Sequence, residues 1–418
     1  MEFFNKLKIE KEIKELPNGI LNILLEAAVS SNIKSIAIVG GIVRDLITKS
    51  KNENYEIIFH DLDLIIEGEV TNYIKELERI LGQEKIKIIR NSVTYKTAEI
   101  TINGIKIDIA SAREETYPIP GENPIVELST IKNDLKRRDF NINSMAIELK
   151  ENKLIDLFSG LDAISNMRID FLHESSVLED PTRIIRASRY SAKLGFNISD
   201  KALSQIQNTI NSWPWNWVIG DQVNLAPSAL SIRLKMELEL LFKSEVWNHA
   251  LKNLQEWGGL KIIDSKLHND KNLIEKVFIA KNSNIEPLTA FVYEAKNPLY
   301  LAERLELSQS QKEVIEGAEK LNELLNQIKE SYNYKSWSPS KWTTELEKIN
   351  IKESSYILEI CRNNHFKKYI SSWLYNWKNI DSPVTGDDLI SQGWEAGPEI
   401  GIEIKRKRMK LIDEQNII

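Results

Sequence analysis

The chain has 418 residues, with 55 Lys+Arg against 61 Asp+Glu, a formal charge of −6 and a pI near 5.7. At roughly 150 residues per domain this predicts two to three domains, and a 42% apolar, 28% charged composition excludes a disordered, collagenous or disulfide-built chain. The mild acidity excludes a protein that coats nucleic acid through bulk charge, so any polyanion must be met by local basic patches.

Ile-rich runs crowd the first 150 residues and read as strands: Ile36–Val39, Ile57–Phe59, Asp63–Ile66, Ile86–Ile89 and Ile105–Ile109. A helical pattern over Asn72–Leu81 separates some of them, so residues 1–150 are expected to form an α/β head. Beyond it the pattern is helical. A neck is expected over 151–225, a body over 226–345 and a tail over 346–418. Within the body, Leu230, Leu234, Leu238 and Leu241 mark one helix over Ser228–Phe242, and Leu301–Lys329 reads as another. Prolines punctuate the chain at Pro118-Ile119-Pro120-Gly121, Trp213-Pro214-Trp215, Ser338-Pro339 and Ser382-Pro383.

All 10 tryptophans lie at or beyond Trp213. The run Trp213-Pro214-Trp215-Asn216-Trp217 reads as core packing, with base stacking as the functional alternative. A single cysteine, Cys361, excludes an intramolecular disulfide and fits a reducing cytoplasm. No signal-like h-region opens the sequence and no run approaches the roughly 18 apolar residues of a membrane span, so a soluble cytoplasmic protein is expected. The 5 histidines are scattered and read as surface or packed residues.

Three features carry chemistry. Val39-Gly40-Gly41-Ile42-Val43-Arg44 places a glycine turn between a strand and a helical segment. Glycines there let backbone N–H groups approach phosphate, and Arg44 adds a donor fork. A tight turn with no ligand is the plainer reading. His60-Asp61-Leu62-Asp63 puts two carboxylates on one strand face, an arrangement that is costly unless a cation joins them. Mg²⁺ suits such oxygen ligands. Asp108 lies in the next clear strand, with Ile105, Ile107 and Ile109 on its opposite face, and could complete a two-metal phosphoryl-transfer site. Finally, Glu179-Asp180-Pro181-Thr182-Arg183 begins a helix expected to take Asp180 as N-cap and Pro181 as first residue. That helix gathers Arg183, Arg186, Arg189 and Lys193 within an arc of about 120°. Asp180 and Arg183, an acceptor and a donor fork one turn apart, could bond the Watson–Crick edge of a base.

Together these residues resemble the nucleotidyltransferase palm of the DNA polymerase beta superfamily. Arg137-Arg138-Asp139-Phe140-Asn141-Ile142-Asn143 is similar to the RRDxxxN motif of class II tRNA nucleotidyltransferases and bacterial poly(A) polymerases. Glu179–Arg183 is similar to their EDxxR motif, and Val384–Leu389 with Gly397–Gly401 to their C-terminal signature. Asn141 stands at a position usually threonine, and Ser144 at one usually alanine. The resemblance implies an α+β multidomain protein: a palm followed by an all-helical neck, body and tail. It implies an enzyme that adds C or A, or both, to the tRNA 3′ end from CTP and ATP with two Mg²⁺ ions. Asp61, Asp63 and Asp108 would be catalytic, the first two holding metal. Gly40, Gly41 and Arg44 would hold triphosphate; Arg138, Asp139 and Asn143 would meet ribose and phosphate. Asp180 and Arg183 would select the base with Glu179 orienting them, and Arg186 and Arg189 would reach phosphate.

A-only, CC-only and poly(A)-adding enzymes share this chemistry. A non-catalytic RNA-binding protein on a palm scaffold is the rival of another class. No obligatory protein partner is evident. The tail run Lys405-Arg406-Lys407-Arg408 with Lys410 reads equally as a solvated helix end or an RNA backbone contact.

Overall fold

The computed structural model describes residues 6–92, 95–212, 227–331 and 333–415. The tryptophan run at 213–217 lies outside them. Contacts divide the chain into two units, 1–262 and 263–418. The single boundary between them falls inside the span expected to form one body.

The first unit is built on strands β1 (Ile36–Val39), β2 (Leu62–Ile66), β3 (Ile86–Ser92), β4 (Thr97–Ile102), β5 (Ile105–Ser111), β6 (Arg113–Thr116), β7 (Ile125–Leu128), β8 (Met145–Glu148) and β9 (Lys153–Asp156). Seven form one mixed sheet in the order β3-β4-β5-β2-β1-β8-β9, while β6 and β7 pair as a separate ribbon. Only β2 and β5 run parallel in the large sheet; its other neighbours are antiparallel. A two-residue turn, Asn103-Gly104, joins β4 to β5. Both residues take positive φ (51° and 84°), the conformation that suits Asn-Gly hairpins.

The run Ile57–Phe59 is not a strand, contrary to expectation, and Ile58 is 71% exposed. Pairing of β2 with β5 begins only at Leu62↔Ile107, so the residues upstream have no neighbour to hydrogen-bond. Asp61 therefore stands immediately before β2 rather than within it. On the face of β2 that carries Asp63, Ile65 packs with Ala37, Val39, Ala146 and the helix Ile131–Lys136 through Ile131 and Leu135. The helix Val70–Leu81 forms as its spacing predicts, burying Tyr73, Ile74 and Leu77, with the Tyr73 hydroxyl donating to the Leu24 carbonyl at 2.9 Å.

The helix Ser228–Lys243 likewise forms, with Leu230, Leu234, Leu238 and Leu241 fully buried. The expected helix over Leu301–Lys329 is instead two, Pro298–Arg304 and Gln309–Glu330. Glu306 takes φ 52°, and Ser308 starts the second helix with a capping box to Gln311. Local capping overrides the apolar periodicity there. Among the described residues no helix is long and apolar enough to cross a membrane.

The second unit is helical around an aromatic core. Trp342 stacks on Tyr369 at 4.3 Å and meets Tyr334 and Phe366 edge-on, while Trp373 and Trp377 are buried in the same cluster. Packing, not display, is the role of these tail tryptophans. Trp342→Ala should cost about 3–5 kcal/mol of this unit's stability, read from its denaturant midpoint, because no neighbour can collapse into so large a void.

Candidate active site

The site begins where β1 ends. Gly40 takes φ 78°, ψ −149° and stands at the N-cap of the helix Gly41–Lys51. A Cβ on Gly40 would lie 2.6 Å from Asp63 Oδ2. Glycine is thus required twice, for its dihedral and for the approach of the Asp63 carboxylate. Arg44 does not face the cleft. Its guanidinium is buried, donating from Nη1 to Asn143 Oδ1 at 2.8 Å and from Nε to Asp45 Oδ1 at 2.9 Å. The expected phosphate fork is instead a brace beneath the glycine turn. Asn143, which it holds, does line the cleft.

Register brings the carboxylates together. Asp63 on β2 is the partner of Asp108 on β5, and Asp108 is in turn opposite Glu99 on β4. Period 2 turns their Ile neighbours to the other face. Burial and the adjacent Asp61 push the Asp63 carboxyl up to about 6, Arg138 only partly opposing them. Asp61 and Asp63 are carboxylates of the hard-oxygen type that Mg²⁺ takes, and would be the residues to hold it. Asp108 does not join them as a third ligand: its Oδ2 lies 3.2 Å from Lys106 Nζ, which also approaches Asp61. Among the described residues no group of three or more His, Cys, Asp or Glu could hold a metal ion.

A cleft of about 490 Å³ opens beside Asp63. It is lined by the glycine turn with Arg138, Asp139 and Asn143, and by Asp180, Arg183 and Arg186. Arg137 and Arg138 both grip the buried Asp134, at 2.6 and 3.2 Å, so this basic run is anchored rather than solvated. Of the two unusual residues in this motif, Asn141 accepts from the Asp170 backbone N–H at 3.1 Å, and Ser144 donates to the Leu135 carbonyl.

The base-selecting segment differs in detail from expectation. The helix spans Arg183–Leu194 with Thr182 at its N-cap position. Asp180 turns back to accept from the Thr182 backbone N–H at 3.1 Å and its hydroxyl at 2.7 Å. That local turn displaces the helix start past Pro181. Arg183 is buried and donates to the carbonyls of Ser176 and Arg137, at 3.2 and 3.0 Å. Glu179 does not line the cleft. Its side chain pairs with Ser175 and His173, at 2.9 and 3.4 Å.

Arg186 and Arg189, expected to be open to phosphate, both meet carboxylates. Arg186 bridges Asp139 at 2.6 Å and Glu237 at 2.9 Å, and Arg189 also pairs with Glu237. Burial alone would raise the Asp139 carboxyl, but the Arg186 guanidinium, with Arg183 and the Phe140 backbone N–H, outweighs it and holds that group below its usual range. Only Arg186 of the two lines the cleft.

Sequence reading missed Glu115, Tyr117, Arg233 and Glu237. Glu115 holds Arg113 and Arg137 at 2.8 and 2.9 Å, with Tyr117 donating to it. Arg233 lies 3.7 Å from Asp180 and donates to the Gly121 carbonyl. Arg233 and Glu237 share a helix face one turn apart, a signal that was present but resembled an ordinary polar stripe.

Residues 36–170 match the family model described as the poly A polymerase head domain. An A-adding tRNA nucleotidyltransferase of Aquifex aeolicus is 27% identical over 90% of this chain and 45% of its own length. A CC-adding tRNA nucleotidyltransferase of Deinococcus radiodurans is 28% identical over 66% of this chain and 67% of its own. The chain spans less than half the length of several A-adding relatives that it matches. A CCA-adding enzyme solved in an apo form superposes with a TM-score of 0.72 at 24% identity, covering 99% of this chain and 96% of that one. That likeness is one of fold: a mixed-sheet head with a helical remainder, as the sequence leads one to expect.

Gly40→Ala should cost about 1–3 kcal/mol, read by thermal denaturation, because the dihedral is strained and the Cβ collides with Asp63. Asp63 also links stability to pH. Its folded-state value near 6 exceeds the ordinary 3.8, so the fold prefers it protonated and loses stability as pH rises between those values. Asp63→Asn should therefore stabilise the metal-free protein by about 1–2 kcal/mol at pH 7.5 and by nothing below about pH 4, measured by urea denaturation at each pH.

Proposed function

We propose that this chain is a tRNA nucleotidyltransferase that adds C or A, or both, to a tRNA 3′ end from CTP and ATP, without a nucleic-acid template. The observation that carries this reading is a shared wall. Asp63 and Arg138 line both the cleft described above and a second one over β4 and β5, which also takes in Asp108 and Glu99. A nucleotide in the first and an RNA end in the second would meet at Asp63. The match of residues 36–170 to the poly A polymerase head, and the activities named for the relatives, support the same reading.

Mg²⁺ held by Asp61 and Asp63 would acidify the 3′-hydroxyl and offset charge on the triphosphate. The rest falls to the chain's own groups. Backbone N–H groups at Gly40-Gly41, at a helix N-terminus, would cradle phosphate. Arg138, Asp139 and Asn143 line the cleft and would meet ribose and phosphate. Asp180 offers acceptors and Arg183 donors, so the protein supplies the pairing edge that a template strand would otherwise supply. Arg233 and Thr182 hold Asp180 in place, and the Ser176 and Arg137 carbonyls hold Arg183. A rigid reading edge is what selection between bases needs.

The test supplies tRNAs ending before CCA, after C and after CC with Mg²⁺ and with CTP and ATP separately and together. Incorporation of C, A or both on these ends is expected. A alone, onto tRNA ending in CC, would make the protein an A-adding specialist; C alone, a CC-adding one. Long A tails on unrelated RNA would make it a poly(A) polymerase, and no incorporation would leave an RNA-binding palm. Asp63→Ala should reduce transfer at least about a thousandfold with tRNA affinity retained. Arg183→Ala should blur C-against-A selection more than it weakens tRNA binding, measured by competition between the two nucleotides.

A further inference from the structure

Lys106 lies on β5 two residues before Asp108, so both side chains rise from one face of the sheet. Its Nζ stands 3.2 Å from Asp108 Oδ2, 3.5 Å from Glu99 Oε1 and 3.9 Å from Asp61 Oδ2. It is the ammonium group that lies between Asp61 and Asp108. Arg90 pairs with Glu99 at 3.8 Å and is 78% exposed, and Arg138 stands on the Asp63 side of the row. Asp63 has no ion pair with Lys106 among these contacts.

We propose that Lys106 is a built-in counter-cation that competes with the divalent ion for the Asp61 carboxylate. The proposal rests on the reading of Asp61 and Asp63 as the residues that would hold that ion. A monovalent ammonium within 4 Å of three carboxylates neutralises part of the field that would draw in a dication, and it repels the dication directly. Free protein thus binds the ion weakly. A nucleotide triphosphate, entering from the other side of Asp63, adds negative charge that Lys106 does not offset. The ion is then retained mainly when nucleotide is present, which couples two binding events through one side chain.

The test is direct. Mn²⁺ is titrated into the nucleotide-free full-length protein and the free ion is followed by electron paramagnetic resonance. Lys106→Met and Lys106→Gln should each lower the Mn²⁺ Kd by about tenfold or more, while Lys106→Arg, which keeps the charge, should stay within about twofold of the parent. The two neutral variants should also lose a few degrees of metal-free Tm, recovered on adding Mn²⁺. Parental Kd values in both neutral variants would overturn the proposal, as would tightening in the arginine variant or no measurable Mn²⁺ binding by any of the four proteins. Because the readout is ion binding without turnover, tightening in a protein that transfers no nucleotide would support the role of Lys106 while refuting the enzymatic reading.

Discussion

The contact between the Gly40 backbone and the Asp63 carboxylate is the constraint on which the site depends. It sets how closely β1 and β2 run at their active ends, and so where the helix Gly41–Lys51 begins relative to the carboxylate row. Any side chain at position 40 would displace the Asp63 carboxylate. Arg44, one turn into that helix, then ties the turn to Asn143, so the glycine backbone and the cleft-lining Asn143 are held together.

Charge pairing does the same work across the first unit. Asp134 holds Arg137 and Arg138; Asp139 holds Arg186; Glu237 holds Arg186 and Arg189. Such buried pairs contribute little net stability once desolvation is counted, but breaking one partner is costly, and they fix geometry. A cleft in which Arg137, Arg138, Arg186 and Arg233 already have carboxylate partners is also close to charge balance. An incoming anion must exchange with those partners rather than fall into a bare positive well, which favours ligands able to offer several contacts at once.

Much of this was legible in the chain. The strand spacing, the Gly-Gly turn, the paired acids and the helix carrying Arg183 could be read because each rests on local periodicity or on turn chemistry. What could not be read was the partner of each charge. Arg44 in a GGxxR segment looks like a phosphate fork until Asn143, 99 residues away, is seen to hold it. Glu237 looks like an ordinary polar position on an apolar helix, although it neutralises two arginines that sequence alone left open to phosphate. Asp180 looked like a helix cap because the competing hydroxyl of Thr182 carries no signature. The Leu301–Lys329 periodicity was misleading for a related reason: a capping serine and a positive-φ residue leave the apolar spacing almost intact while breaking the helix.

The two-residue turn at Asn103-Gly104 acts as a ruler for all of this. In a strand, side chains alternate faces, so inserting one residue between β4 and β5 would send Asp108 and Lys106 into the apolar layer and bring Ile107 and Ile109 out. Asn-Gly permits only the tight connection in which Glu99 faces Asp108. Insertions are usually tolerated in exposed turns, yet here length itself encodes charge position. This hairpin should therefore drift freely in sequence along its outer edge while its residue count stays fixed.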